Sequence, residues 1–286
     1  MTYLLLSIAA LAVTCQNVFK QKFNDKCKSG TFFFTGMIAI FAMAFFIAIN
    51  RDTYYTARLI GPSAAFALSY ASATFFAVLA IRYGSLAKSC LIISFSLLVP
   101  SFYGLLCLDE QISPELVFGT LLLIVSLILI NYAKEETQEK APLKWYVFVF
   151  FAFLGNGMCS TVQKAKQAYY GEEGDNLFMI VALGMVAVLM FVLALCFREE
   201  RASIPKTVRY GFLWAVLCGL ANGLTNYLVI YLNNINLPAS TLFPVISSGS
   251  LILSFLYSVF VVREKFSPRQ YAGFLVGIIS IILLNL

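Results

Sequence analysis

Lys20 ends a long apolar run and follows Asn17 by three residues, which puts an ammonium and a carboxamide on one helical face. The stretch around them, Cys15-Gln-Asn-Val-Phe-Lys-Gln-Lys22, reappears as Cys159-Ser-Thr-Val-Gln-Lys-Ala-Lys166, with cysteine, valine and both lysines kept at an offset of 144 residues. Lys164 then stands where Lys20 does, beside Ser160 and Thr161, with Asn156 deeper in the same run. A third polar group, Asn222, Thr225 and Asn226, falls at i, i+3 and i+4. Polar side chains inside apolar runs are expensive in lipid and turn toward protein or water. A cation among amides and hydroxyls suits a substrate bearing a carboxylate or phosphate. Each group also has a plainer reading. Lysines near the ends of apolar runs carry their charge to the headgroups, the role expected of Lys22 and Lys166, and amides bond neighbouring helices. Asn17, Lys20, Asn156, Thr161, Lys164, Asn222 and Asn226 are the residues expected to bind substrate.

The missing residues narrow the chemistry further. No aspartate or glutamate lies in the middle of an apolar run: Glu110 and Glu264 stand at run ends, and Asp25, Asp52 and Asp175 fall in connections. Histidine is absent, which removes the commonest general base, proton relay and metal ligand together. The phosphate-binding pattern GxxxxGK[ST] does not occur, and no nucleophile has a base beside it. The seven cysteines are odd in number, and six of them lie in or beside apolar runs, where cysteine acts as a small hydrophobe. Neither catalysis nor a cofactor, a metal or a disulfide framework is expected.

The elements that must position these groups are membrane helices. Of the 286 residues 60% are hydrophobic and 12% charged, and the mean hydropathy is +0.85, far from a soluble composition. A bilayer core needs about 20 apolar residues in helix, because backbone groups in lipid must pair internally. Ten such runs are marked: 3–22, 31–49, 60–82, 86–108, 114–133, 144–166, 176–197, 208–232, 239–261 and 268–285. The first has no basic residues ahead of it and no small-residue cleavage pattern, so it reads as a span rather than a signal peptide. The polar interval 135–143 separates a unit at 1–134 from one at 144–286, five runs in each.

The two units repeat one another. Asp109 to Asn131 aligns without gaps on Arg263 to Asn285, pairing Glu110 with Glu264, Pro114 with Pro268, Gly119 with Gly273 and Ser126 with Ser280. Serine before proline caps a helix whose first turn the proline occupies. Gly119 and Ser126, like Gly273 and Ser280, form a small-residue strip suited to close packing, within the chain or in a homodimer. Pro244 ahead of Ser247-Ser-Gly-Ser250 marks a hinge or a packing seam bordering a cavity. An odd number of spans per repeat makes the repeats enter the membrane in opposite senses. Sixteen of the 20 Lys and Arg fall at odd-numbered connections, which the positive-inside rule assigns to the cytoplasm, leaving both termini outside.

Ten spans in two halves, a lysine near the end of the first span of each, and a repeated Glu-x-x-Ser-Pro-x-x-x-x-Gly element resemble the EamA-like branch of the drug/metabolite transporter superfamily. The resemblance covers essentially the whole chain. It implies an all-α integral membrane protein of ten transmembrane helices in two inverted five-helix repeats, a central cavity and alternating access. It also implies both termini in the cytoplasm, against the charge count. The function expected is secondary transport of a small polar or anionic metabolite, an amino acid or similar, across the cell (inner or plasma) membrane. The alternatives are export of lipophilic cations, for which a buried carboxylate is missing, and flipping of a phosphate-bearing lipid. The partners expected are a small-molecule substrate, the lipid bilayer and a coupling ion, proton or sodium; nucleic acid is not among them.

Overall fold

The computed structural model describes residues 2–50, 57–97, 99–100, 102–103, 114–131, 142–171, 174–235, 237 and 239–283. Among them the secondary structure is helical, without strands. The helices are α1 (Thr2–Lys26), α2 (Thr31–Ile49), α3 (Ile60–Tyr83), α4 (Leu86–Ser94), α5 (Pro114–Asn131), α6 (Leu143–Tyr170), α7 (Asp175–Cys196), α8 (Arg198–Asn234), α9 (Ala239–Tyr257) and α10 (Pro268–Leu283). Seven helical stretches are long and apolar enough to cross a bilayer. The runs expected at 86–108, 114–133 and 268–285 are described only in part. Glu110 lies outside the described residues.

The outer surface is that of a protein in lipid. Phe260, Leu68 and Val188 are 74%, 68% and 64% exposed, large apolar side chains that have no reason to face water. Inside, Phe66, Phe178, Met179, Leu183 and Val186 build a core between α2, α3 and α7. Glycine brings backbones together at two crossings. A Cβ on Gly155 would stand 2.5 Å from the Ala73 nitrogen, and one on Gly219 would stand 2.7 Å from the Ile38 carbonyl oxygen.

Polar contacts gather the connections at two ends. At one end the Arg82 Nε donates to Asn24 Oδ1, tying α3 to α1. Nearby, Glu200 accepts from the backbone N–H groups of Gly30, Thr31 and Phe32 and so satisfies the start of α2 from α8. Glu264 does the same for α4, accepting from Ser85 Oγ and the Leu86 N–H. The indole of Trp145, at the start of α6, donates to Ser89. At the opposite end Lys166 on α6 pairs with Asp175 at the start of α7, and Asn234 at the end of α8 donates to the same carboxylate at 2.9 Å. Thus the first, third, seventh and ninth connections meet at one end, and the sixth and eighth at the other.

Three sequence expectations change here. Lys166 is no headgroup anchor: it is 3% exposed, and its ammonium also donates to the Gly171 carbonyl. Helix α8 starts at Arg198, ten residues before the expected 208, and contains Pro205. The early start is held by tertiary contact, since Ser203 and Thr207 pack under Gly30 while Glu200 caps α2. The small-residue strip does not form an outer surface for a homodimer. Gly119, Ser126, Gly273 and Ser280 are buried, because α5 and α10 pack against each other through them, with Ser126 donating to the Gly273 carbonyl and Ser280 to the Gly119 carbonyl.

The Ser-Pro element behaves as its composition dictates. Ser267 Oγ accepts from the Gln270 N–H, and Gln270 Oε1 accepts from the Ser267 N–H, a reciprocal cap with Pro268 in the first turn. Pro114 likewise opens α5.

Candidate functional site

Six helices, α1, α3, α4, α6, α8 and α9, enclose a cavity of about 170 Å³. Each presents residues at three- and four-residue spacing, one face of a helix turned inward. Helix α1 contributes Val13, Gln16, Asn17 and Lys20, and α6 contributes Asn156, Cys159, Ser160 and Gln163. These two sets have the same spacing and lie 143 residues apart, from Val13 to Asn156 and from Lys20 to Gln163. Tyr70, Ala73, Thr74 and Ala77 on α3 repeat on α8 as Asn222, Thr225, Asn226 and Val229, and Cys90, Ile93 and Ser94 on α4 repeat on α9 as Phe243, Ile246 and Ser247.

This register moves the second-half site by one residue. The echo of the lysines pairs Lys20 with Lys164, but the cavity pairs it with Gln163. Lys164 is half-buried and is not in the wall. Thr161 is not in it either: its hydroxyl donates back to the Gly157 carbonyl of its own helix at 2.9 Å. Of the seven residues expected at the site, Asn17, Lys20, Asn156, Asn222 and Asn226 come together there. Gln163 escaped the sequence reading, although Asn156, Ser160 and Gln163 stand at i, i+4 and i+7, a face that could have revealed it. Pro244 lies within α9 between the wall residues Phe243 and Ile246. The seam beyond it is close: Thr14 donates to the Ser250 carbonyl at 3.4 Å.

A chain of amides crosses the site. Gln163 donates to Asn226 at 3.1 Å, Asn226 to Asn222 at 3.0 Å, Asn222 to Gln16 at 2.9 Å, and Gln16 to Thr225 at 3.0 Å. The chain joins α6, α8 and α1, so these carboxamides are oriented before any ligand arrives. Asn156 is held similarly, donating to Ser96 at 2.7 Å. Gln163 also borders a second, small polar space that contains Lys166, Gln167, Asp175 and Asn234.

Lys20 differs from these amides. It is 8% exposed and lines the cavity, and among the described residues its ammonium has no hydrogen-bond or ion-pair partner. Asn17, one turn away, is also without a hydrogen-bond partner among them. The Tyr70 hydroxyl is buried and unpartnered on the facing helix. An isolated buried cation is costly, and buried polar groups are ordinarily satisfied. Such a wall is stabilised by a polar or anionic guest.

The model of the EamA-like transporter family matches residues 143–286, half of the chain. A protein known from a crystal structure, 15% identical in sequence, superposes with a TM-score of 0.65 over 99% of this chain and 95% of its own. At that identity the likeness shows the fold alone. No curated protein matches the chain in sequence.

Proposed function

The chain belongs to the EamA-like transporter family, within the drug/metabolite transporter superfamily, and from that premise we propose that it moves a small polar or anionic metabolite across a membrane by alternating access. The observation that carries this reading is the cavity between six helices, with the ammonium of Lys20 in its wall and without a partner among the described residues. Asn17, Asn156, Asn222 and Asn226 hydrogen-bond the polar part of the substrate, and Gln16, Thr225 and Gln163 hold those amides in place.

The proposed architecture is two five-helix repeats, at 1–134 and 144–286, inverted in the membrane. Exchange of halves leaves the packing pattern unchanged: α3 on α6 corresponds to α8 on α1, and α2 on α8 to α7 on α3, while α2 with α7, α4 with α9 and α5 with α10 map onto themselves. That symmetry, with the paired cavity positions, supports rocking of one half against the other about a site near the membrane midplane. Equivalent residues then sit toward opposite faces, Lys20 toward the end where α1 meets α3 and Gln163 toward the end closed by Lys166 and Asp175. The odd connections face the cytoplasm of the cell membrane, by their excess of Lys and Arg, and transport is coupled to a proton or sodium gradient.

A carboxylate is needed to hold a lipophilic cation, and none is among the described residues of the cavity wall; this disfavours cation export. The experiment is uptake into proteoliposomes of metabolites first selected by thermal shift, since a ligand that binds only the folded state stabilises it by an amount that grows with the logarithm of its concentration over its dissociation constant. Saturable uptake of a water-soluble metabolite supports the proposal. Lipid scrambling without such uptake contradicts it.

A further inference from the structure

Among the described residues the cavity wall carries one formal charge: Lys20 lines it, and no aspartate or glutamate is among those lining residues. Within the amide chain Gln16, Asn222 and Asn226 each already receive an N–H on the side-chain oxygen, while Gln163 serves there as a donor. Among the described residues the ammonium and the Asn17 carboxamide have no hydrogen-bond partner, and the buried Tyr70 hydroxyl faces the same space.

The charge is also one-sided. At the position that corresponds to Lys20 in the second half, α6 presents Gln163. One ammonium neutralises one anionic group. A dianion would leave a negative charge uncompensated in the cavity, and a zwitterion would bring a second cation where no carboxylate waits for it. A neutral guest leaves Lys20 unpaired. The cavity, about 170 Å³ in volume, has room for a small organic molecule.

We propose that this site selects a small organic monoanion, a monocarboxylate without a charged amino group, and that the number of cations in the wall sets the charge of the substrate. The carboxylate pairs with Lys20 and Asn17, and the remaining polar groups of the substrate meet Tyr70 and the amide chain. The inference rests on the transport reading above and narrows its substrate from polar metabolites in general to one charge class.

The test uses the full-length protein in proteoliposomes with skeleton-matched probes: lactate as monoanion, alanine as zwitterion, lactamide as neutral form and malonate as dianion, with the five-carbon 2-hydroxy acid, amino acid and hydroxy amide alongside. The monoanion of at least one set is expected to be carried at least tenfold faster than its zwitterionic and neutral counterparts. Gln163→Lys is expected to raise the ratio of malonate to lactate transport at least tenfold. Where that variant does not assemble, Lys20→Gln replaces it and must shift preference tenfold from the hydroxy acid to the hydroxy amide. Equal or better carriage of the amino acid or the amide overturns the charge assignment and leaves transport standing. So does an unchanged ratio in a variant with the wild-type thermal transition. Absence of uptake for every probe, from protein with an intact thermal transition, overturns the transport reading and the inference together.

Discussion

The Ser126 hydroxyl donates to the Gly273 carbonyl at 2.7 Å, and the same contact recurs with the halves exchanged, Ser280 to Gly119 at 2.6 Å. Helices α5 and α10 are therefore joined by a pair of equivalent bonds about a local two-fold axis. A Cβ on the nearby Gly277 would stand 2.8 Å from Ser126 Oγ. Ser126→Ala and Ser280→Ala should each lower stability by about 0.6 kcal/mol, the usual value of an interhelical bond in a membrane protein. Gly277→Leu should do more harm than both together, because it separates the helices. Thermal unfolding in detergent measures all three, and a Gly277→Leu protein with the wild-type transition would contradict the packing.

The pairing of the buried Lys166 with the partly exposed Asp175 predicts an asymmetry between single and double variants. Among the described residues, Lys166→Met leaves the carboxylate with Asn234 alone, and Asp175→Asn leaves the ammonium with the Gly171 carbonyl. Asp175→Asn, which strands the buried ammonium, should destabilise by up to about 3–5 kcal/mol, the usual cost of leaving a buried charge alone, and Lys166→Met by less, because Asp175 keeps some exposure. Lys166→Met with Asp175→Asn should recover part of that loss. Additive losses in the unfolding midpoint would mean that the two groups are not paired.

Glu200 accepts three backbone N–H groups at the start of α2, at 3.1, 3.2 and 3.0 Å. Hydrogen bonds to a charged group contribute about 1.5–3 kcal/mol each in favourable settings, less in a partly buried one. Glu200→Ala should lower the unfolding midpoint clearly, while Glu200→Gln, which keeps one acceptor oxygen, should lower it less. Equal effects would show that the carboxylate does not act as the cap.

Topology has a simple test. Cys27 is a poor reporter, being 1% exposed, with burial pushing its thiol pKa up. Lys28 beside it is exposed. Lys28→Cys in a Cys196→Ser background should resist an impermeant thiol reagent in intact cells and react in inverted vesicles. Labelling in intact cells would put the odd connections outside and the termini inside.

Much of this arrangement was legible in the residue order, for a physical reason. Lipid excludes unsatisfied polar groups, so apolar runs had to be helices, and amides inside them had to face one another or a cavity; Asn17, Lys20, Asn156, Asn222 and Asn226 follow from that rule. The second-half register was not legible. The lysine echo pointed to Lys164, but identity between repeats follows the residues that are retained, whereas the wall follows the rotation of α6, and that places Gln163 inward. Lys166 misled in another way: a lysine near a helix end looks like an anchor until the fold brings Asp175 and Asn234 to it. The first turns of α8 are polar enough to read as a loop and become helix through contact with α2.

The central claim is that Lys20 meets the substrate. The most direct measurement is metabolite uptake by proteoliposomes containing Lys20→Met, beside wild type and the Lys22→Met control. Removing a charge-assisted bond of about 1.5–3 kcal/mol should slow transport at least tenfold, with an unfolding midpoint no lower than that of wild type in the absence of substrate and wild-type rates in the control. Uptake by Lys20→Met at the wild-type rate would contradict the account.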